Sequence, residues 1–253
     1  MSVLLSREGD AMIVRLDRPK ALNALSFSVL EMLDDAFDQV AQSNARVLVV
    51  TGSGEKAFCA GADIKELRNR DLVAERRGIE MGQAVFEKIG RLPMPSLAFI
   101  NGYAFGGGLE LAMACTFRLA APNAKVGLPE IKLGLMPGYG GTQRLPRLIG
   151  EARALDLVMT GRTVAAEEAL QMGLVNAIVD DLAAALEYCQ RFTCYSLPTL
   201  GFARAAVERA LDLPIHAGLK VEADLATLAF RTEDAVEGMA AFEDKRQAEF
   251  KDR

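Results

Sequence analysis

Histidine is nearly missing from this sequence: His216 stands alone. That scarcity excludes zinc sites built on H-E-x-x-H or on paired Cys and His. It leaves a Ser-His-Asp triad one candidate base, and no G-x-S-x-G elbow precedes it. We read His216, at the start of a late helical segment, as a structural or surface residue. Cysteine is sparse as well. Cys59, Cys115, Cys189 and Cys194 form no CxxC pair, and in a chain of 253 residues they do not read as a disulfide framework, so a reducing, cytoplasmic setting is expected. No apolar run approaches the ~18 residues of a membrane span. The start, Met1-Ser2-Val3-Leu4-Leu5-Ser6-Arg7-Glu8, lacks the charged-then-apolar pattern of a secretory leader. A basic excess is lacking too: 29 Lys and Arg face 34 Asp and Glu, for a net charge of −5. Nucleic acid is therefore not expected as a partner, because phosphate neutralisation needs a basic footprint. Membrane is not expected either.

What is present is core material. Apolar residues make up 51% of the chain and charged residues 25%, ordinary globular usage. Two short β-like segments, near Val3–Ser6 and Ala11–Leu16, flank a Gly9-Asp10 turn. Ser26 reads as the N-cap of a helix from Phe27 to Ala41, where Val29, Leu30, Leu33, Phe37 and Val40 form one apolar stripe. Val47–Thr51 and Ser96–Ile100 are wholly apolar or small and each runs into a glycine-containing turn, as buried parallel strands do. Between them Asp63 to Arg91 is helical in character. This alternation predicts an α/β fold with parallel pairing and helical crossovers. After about Asp180 only helical patterns follow: Leu182–Cys194, Leu200–Leu211, His216–Phe230 and Asp234–Lys245. The expected organisation is a core over residues 1–190 that carries the active site and a helical subdomain over 191–253. The charged tail from Lys245 to Arg253 is expected to be partly mobile.

Glycine-rich turns raise the question of phosphate loops. Thr51-Gly52-Ser53-Gly54-Glu55-Lys56-Ala57 lacks the G-K-[ST] ending of a P-loop. Gly106-Gly107-Gly108-Leu109-Glu110 follows a strand, but Leu111 stands where a dinucleotide fingerprint needs its third glycine. The helix it opens also carries a carboxylate in its first turn, which would repel pyrophosphate. Nucleotide hydrolysis and hydride transfer fall behind. The glycine run does supply N–H groups without intrahelical partners at a helix start, where the dipole favours negative charge. Those are the parts of an oxyanion hole, with donors fixed where charge will develop. Phe58-Cys59-Ala60-Gly61-Ala62-Asp63, small residues between a strand and a helix, offers the same. Either segment alone also reads as a tight turn. Glu110 lies in the apolar stretch Gly108-Leu109-Glu110-Leu111-Ala112-Met113-Ala114, and Glu130 between Pro129 and Ile131. A carboxylate in apolar surroundings has its pKa raised toward neutrality, which suits proton transfer. From spacing alone, partly buried glutamates in salt bridges are the favoured reading of both.

As a set, these segments resemble the crotonase (enoyl-CoA hydratase/isomerase) superfamily. The resemblance is carried by Arg18-Pro19-Lys20-Ala21-Leu22-Asn23-Ala24-Leu25, Ala57-Phe58-Cys59-Ala60-Gly61-Ala62-Asp63-Ile64-Lys65-Glu66 and Asn101-Gly102-Tyr103-Ala104-Phe105-Gly106-Gly107-Gly108-Leu109-Glu110. Gly127-Leu128-Pro129-Glu130-Ile131, Pro137-Gly138-Tyr139-Gly140-Gly141-Thr142-Gln143-Arg144-Leu145 and Glu237-Gly238-Met239-Ala240-Ala241-Phe242-Glu243-Asp244-Lys245-Arg246 follow in the family's order. What the resemblance implies is a spiral of ββα units with a helical C-terminal trimerisation region, assembled as a homotrimer or as a homohexamer, a dimer of trimers. It implies addition of water to a trans-2-enoyl-CoA, with CoA part of the substrate and no separate cofactor or metal. The family's oxyanion hole resembles the N–H groups of Ala60 and Gly107, and its two catalytic glutamates resemble Glu110 and Glu130. Lys20, Ala21, Leu22 and Ala24, with Ala62, Asp63 and Ile64, resemble the wall that grips CoA. Lys245 resembles a lysine that meets a CoA phosphate, often from a neighbouring subunit. Gly138 and Tyr139 are assigned to the acyl pocket. Thr116 stands where relatives often have Asp, and Ala226 where some place an aromatic residue. The alternatives are an enoyl-CoA isomerase working with one glutamate, or a crotonase-fold protein in an RNA-binding or interaction role. For the latter, Arg68, Arg70, Arg76 and Arg77 form a small basic cluster.

Overall fold

A computed structural model describes residues 2–253. Residues up to Leu92 together with Ser96–Tyr188 form one compact unit, and 93–95 with Cys189–Arg253 form a second.

In the first unit, β1 (Val3–Glu8) and β2 (Ala11–Leu16) make a hairpin across Gly9-Asp10, with Val3 opposite Leu16. α1 (Phe27–Ala41) begins where the Ser26 hydroxyl accepts the Val29 N–H at 3.2 Å, satisfying one of the helix's unpartnered donors. Its buried residues include the five of the predicted stripe, each contributing about 1.5–3 kcal/mol by leaving water. β3 (Val47–Gly52) is wholly buried and pairs in parallel with β2. β4 (Ala57–Cys59) follows after a short turn.

The helical stretch expected from Asp63 to Arg91 is instead two helices, α2 (Ile64–Leu67) and α3 (Leu72–Arg91). Arg68 turns extended and Asn69 takes a positive φ of 60°. Asp71 then starts α3 afresh, its carboxylate accepting the Ala74 N–H at 2.8 Å. β5 (Ser96–Ile100), β6 (Tyr103–Phe105), α4 (Gly107–Ala114), β7 (Phe117–Ala120) and β8 (Lys125–Gly127) come next. After a 3-10 turn, Pro129–Leu133, come α5 (Gly141–Ile149), α6 (Glu151–Thr160), β9 (Thr163–Ala165), α7 (Ala166–Gln171) and β10 (Ala177–Ile178).

The strands form two sheets, β1-β2-β3-β5-β7-β10 and β4-β6-β8-β9. Consecutive pairs alternate between them: β3 then β4, β5 then β6, β7 then β8, each pair followed by helix. This is the ββα spiral. Within the first sheet β2, β3, β5, β7 and β10 run parallel, as do β4, β6 and β8 in the second. Phe37, Phe58, Phe86, Leu48 and Leu97 are among the fully buried side chains of the core.

The second unit is helical: the end of α8 (Leu182–Thr193), then α9 (Leu197–Glu208), α10 (Ile215–Ala229) and α11 (Glu233–Asp244). α9 starts three residues before the predicted Leu200, because Pro198 is tolerated in a first turn that needs no donor from it. His216 is exposed in the first turn of α10. The tail expected to be mobile is tied down. Asp234, 2% exposed, accepts the Lys251 and Asp252 N–H groups at 2.6 and 2.9 Å, and the Asp252 carboxylate accepts the Leu197 N–H at 2.8 Å. Among the described residues no helix is long and apolar enough to cross a membrane.

Candidate active site

Three parallel strands of the second sheet deliver the candidate residues at their C-terminal ends, where open parallel sheets commonly bind ligands. β4 ends at Cys59 and releases Ala60-Gly61-Ala62; β6 ends at Phe105 and releases Gly106 and α4; β8 ends at Gly127 and releases Leu128-Pro129-Glu130. Cys59 lies opposite Ala104 and Phe105 opposite Gly127, so the three ends are level to within one residue. Gly106 N–H donates to Gly127 O at 3.0 Å. A side chain at Gly108 would put its Cβ 2.0 Å from Cys59 O, so α4 starts in close contact with the end of β4.

These ends surround a cavity of about 260 Å³ whose lining includes Ala62, Gly107, Glu110, Glu130, Gly138 and Tyr139. Glu110 is 1% exposed on α4, and its Oε1 accepts the N–H groups of Tyr139 at 2.8 Å and Gly141 at 2.7 Å. Burial pushes its carboxyl up to about 7; the Gly141 N–H opposes that, and the charge of Glu130 adds to it. Glu130 sits half-buried in the 3-10 turn, with its Oε1 next to Gly106 and its Oε2 buried without any hydrogen-bond partner among the described residues. Burial raises its pKa too, against a stabilising contact from its own N–H. One carboxylate is fixed by two backbone donors; the other turns a buried oxygen away from every described donor.

The backbone donors differ from expectation. Ala60 N–H, expected as half of the oxyanion pair, donates to Leu22 O at 3.0 Å. The next candidate is two residues on. Ala62 bridges Leu25 in parallel, but that bridge uses Leu25 N–H to Gly61 O and Asp63 N–H to Leu25 O, so Ala62 N–H has no acceptor among the described residues. Gly107 N–H, first in α4, has none either, and a Cβ on Gly61 would be only 3.7 Å from that nitrogen. The amides of Ala62 and Gly107 are thus two donors beside the cavity with no acceptor among the described residues. A small-residue loop suggests donors, but only the folded backbone's hydrogen bonds say that Ala60 is already engaged.

The remaining residues divide in the same way. Lys20 and Ala21 are exposed in a 3-10 turn, Pro19–Ala21, and Leu22 and Ala24 are half-buried after it. That segment is shaped by Asn23, which the sequence alone did not single out. It is 1% exposed at φ 57°, accepts the Arg18 N–H at 2.9 Å, and donates to Ser53 O and Ala57 O at 3.0 and 2.8 Å. Asp63 has its carboxylate engaged by Arg18 at 3.2 Å and by the Lys65 N–H. Ile64 is 47% exposed at the cavity. The Tyr139 ring packs edge-on to Phe86 at 5.6 Å and against Gly82 of α3, and burial lifts its hydroxyl to about 12. The basic cluster is partly neutralised: Arg70 lies 4.2 Å over the Phe27 ring and 3.4 Å from Glu75, and Arg76 pairs with Glu80. Thr116 exchanges hydrogen bonds with Ser96 where β5 and β7 begin, supporting the sheet. Lys245 lies in the second unit, exposed at the left-handed C-cap of α11.

The whole arrangement has relatives. A family model described as enoyl-CoA hydratase/isomerase matches residues 7–253. The chain belongs to that family. It is 42% identical to a probable enoyl-CoA hydratase of Rhizobium meliloti over 100% of this chain and 98% of that one. It is 40% identical to a crotonyl-CoA hydratase of Syntrophomonas wolfei, covering 98% and 97%. The crystal structure of an enoyl-CoA hydratase from Bacillus anthracis superposes with a TM-score of 0.95 at 38% identity, covering 100% of both chains.

Proposed function

We propose that this protein is a lyase that reversibly hydrates a trans-2-enoyl-CoA to the 3-hydroxyacyl-CoA. The observation that carries this reading is the meeting of two dissimilar carboxylates, Glu110 and Glu130, at one cavity with the unpartnered amides of Ala62 and Gly107. The thioester oxygen accepts those two N–H groups, which polarise the conjugated double bond; losing one such donor costs ~3–4 kcal/mol in comparable sites. Glu110, held at Oε1 and ionised near neutral pH, takes a proton from water as the water oxygen bonds to C3. The C2=C3 electron pair moves toward the thioester oxygen as an enolate. Burial raises the pKa of Glu130 and so favours its protonated form; it gives a proton to C2, and the proton on Glu110 returns to Glu130 through solvent. CoA is part of the substrate, so this reading calls for no separate cofactor. Lys20, Ala21, Leu22 and Ala24, with Ala62, Asp63 and Ile64, are assigned to the CoA wall, Lys245 to a CoA phosphate, and Gly138 and Tyr139 to the acyl pocket.

The test is loss of crotonyl-CoA absorbance with Glu110→Gln and Glu130→Gln. Each is expected to lose ~10²–10⁴-fold in kcat, the usual weight of a general acid or base. Near-normal turnover in either variant overturns the two-glutamate reading, and preference for a 3-enoyl-CoA substrate would make the chain an isomerase.

Assembly as a homotrimer or a dimer of trimers is part of the same reading. It is supported by apolar side chains left exposed on the second unit's helices, among them Ile215 at 77% and Phe242 at 85%. Sedimentation of the purified chain checks it. A cytoplasmic location accords with a cysteine spacing that does not read as a disulfide framework.

A further inference from the structure

Resting on that reading, we infer that Arg144 is a positioning residue for Glu110. It acts by clamping the segment whose amides hold the carboxylate and by setting the charge that the carboxylate meets. The segment is Tyr139-Gly140-Gly141, which leads into α5. Its first and last N–H groups both end on Oε1 of Glu110. Two amides can converge on one oxygen only if the chain between them is tightly curled, and Gly140 provides this at φ 107°. Arg144 fastens the curl from inside: its backbone N–H donates to Gly140 O at 2.8 Å and its Nη1 donates to Tyr139 O at 2.9 Å. The fit is close on both sides. A Cβ on Gly140 would lie 2.1 Å from Nη1 of Arg144, and one on Gly141 would lie 2.9 Å from Oε1 of Glu110. From α3, Gln83 secures the preceding carbonyl, that of Gly138, at 2.8 Å.

Arg144 pairs with no carboxylate within salt-bridge distance among the described residues. A half-buried cation held on a carbonyl rather than on an acid is free to act electrostatically on the carboxylate two hydrogen bonds away. The charged and titratable groups around that pair are few. Glu110 meets Glu130 from the 3-10 turn, Arg144 from α5 and Tyr139 from the segment itself, while Arg144 also meets Cys115 after α4 and Glu87 from α3. Arg144 opposes the rise that burial and Glu130 impose on Glu110.

The experiment compares Arg144→Met, Arg144→Gln and Arg144→Lys with the parent protein. It measures the pH dependence of kcat for crotonyl-CoA hydration and the carboxyl titration of Glu110 by carbon NMR on glutamate-labelled protein. Removing the cation is expected to move the acidic limb of the rate profile, and the Glu110 midpoint, upward by about one pH unit, the lower range for loss of an opposite charge nearby. Arg144→Lys is expected to keep the midpoint and lose kcat, because the charge stays while the two-point clamp weakens. A plain structural staple would lower stability or kcat without moving the midpoint. If both neutral variants titrate like the parent, the inference is overturned. The NMR titration needs no turnover, so absence of hydration in the parent protein would defeat the hydratase reading while leaving this measurement decisive.

Discussion

Two stretches of the first unit each place a glutamate at the same cavity, and they are built in opposite ways. The start of α4 is buried throughout, and its Glu110 is fixed by the amides of Tyr139 and Gly141. The segment from Pro129 to Met136 opens with the short 3-10 turn, its Leu133 and Met136 are 60% and 66% exposed, and its Glu130 carries an oxygen with no hydrogen-bond partner among the described residues. A rigid, saturated carboxylate suits a base that must hold one line of attack on water. A carboxylate on a thin, exposed turn can deliver a proton to a carbon and recover it from solvent. The asymmetry also separates their chemistry: both acids are raised by burial, but only Glu110 is opposed by neighbouring amides from another segment and by a cation.

The sharpest way to break this contrast is to disturb the tight region at its tightest point. Gly108→Ala sets a methyl against Cys59 O, backbone against backbone. It is expected to destabilise the protein by more than about 3 kcal/mol, as severe core overlaps do, and urea unfolding would measure it.

Next is the cost of burying an ionised Glu110. Its folded pKa, about 7, lies above the ordinary glutamate value of 4.5, so the folded state holds the proton more tightly between those values. Stability from this group is complete below pH 4.5, falls as pH rises through that window, and stays lost above about 7. Glu110→Gln, which keeps an acceptor for both amides, should therefore gain up to about 3 kcal/mol at pH 8 and little at pH 5. Thermal melts of both proteins at the two pH values check the sign.

A smaller effect is expected from Gly141→Ala. Its methyl presses on Glu110 Oε1, and a misplacement of that size is expected to lower kcat about 30–100-fold while melting temperature changes little. Least of all, Leu133→Ala on the exposed turn should change stability by under about 0.5 kcal/mol and register in KM for acyl-CoA instead. A large stability loss there would erase the distinction between the two regions.

Much of the architecture was legible in order along the chain. Ser26 with its apolar stripe marked α1 to the residue, and the wholly apolar runs at Val47 and Ser96 marked strands buried on both faces, because periodicity and capping are local. Glu110 and Glu130 stood out as carboxylates in apolar company, and Gly107 as a donor at a helix start. The break at Asn69 was missed because it rests on one left-handed residue and a fresh cap inside an otherwise helical pattern. The short strands β4, β6 and β8, of three residues each, are too brief to show a period, yet their level parallel ends are what bring Ala62, Gly107 and Glu130 to one place.

The sequence by itself determined the chemistry available: which acids, which glycines, and the absence of histidine or metal-ligand clusters to compete with them. Tertiary structure alone decided which groups are free to act. Ala60 and Ala62 are equivalent as letters, but the fold places Leu22 O against the N–H of one and, among the described residues, leaves the other's without an acceptor. Glu110 and Glu130 are the same side chain, and only the curl that Arg144 clamps makes one of them a fixed carboxylate. Hydrogen-bond satisfaction belongs to the folded neighbourhood, because each donor's partner lies on a distant segment of the chain.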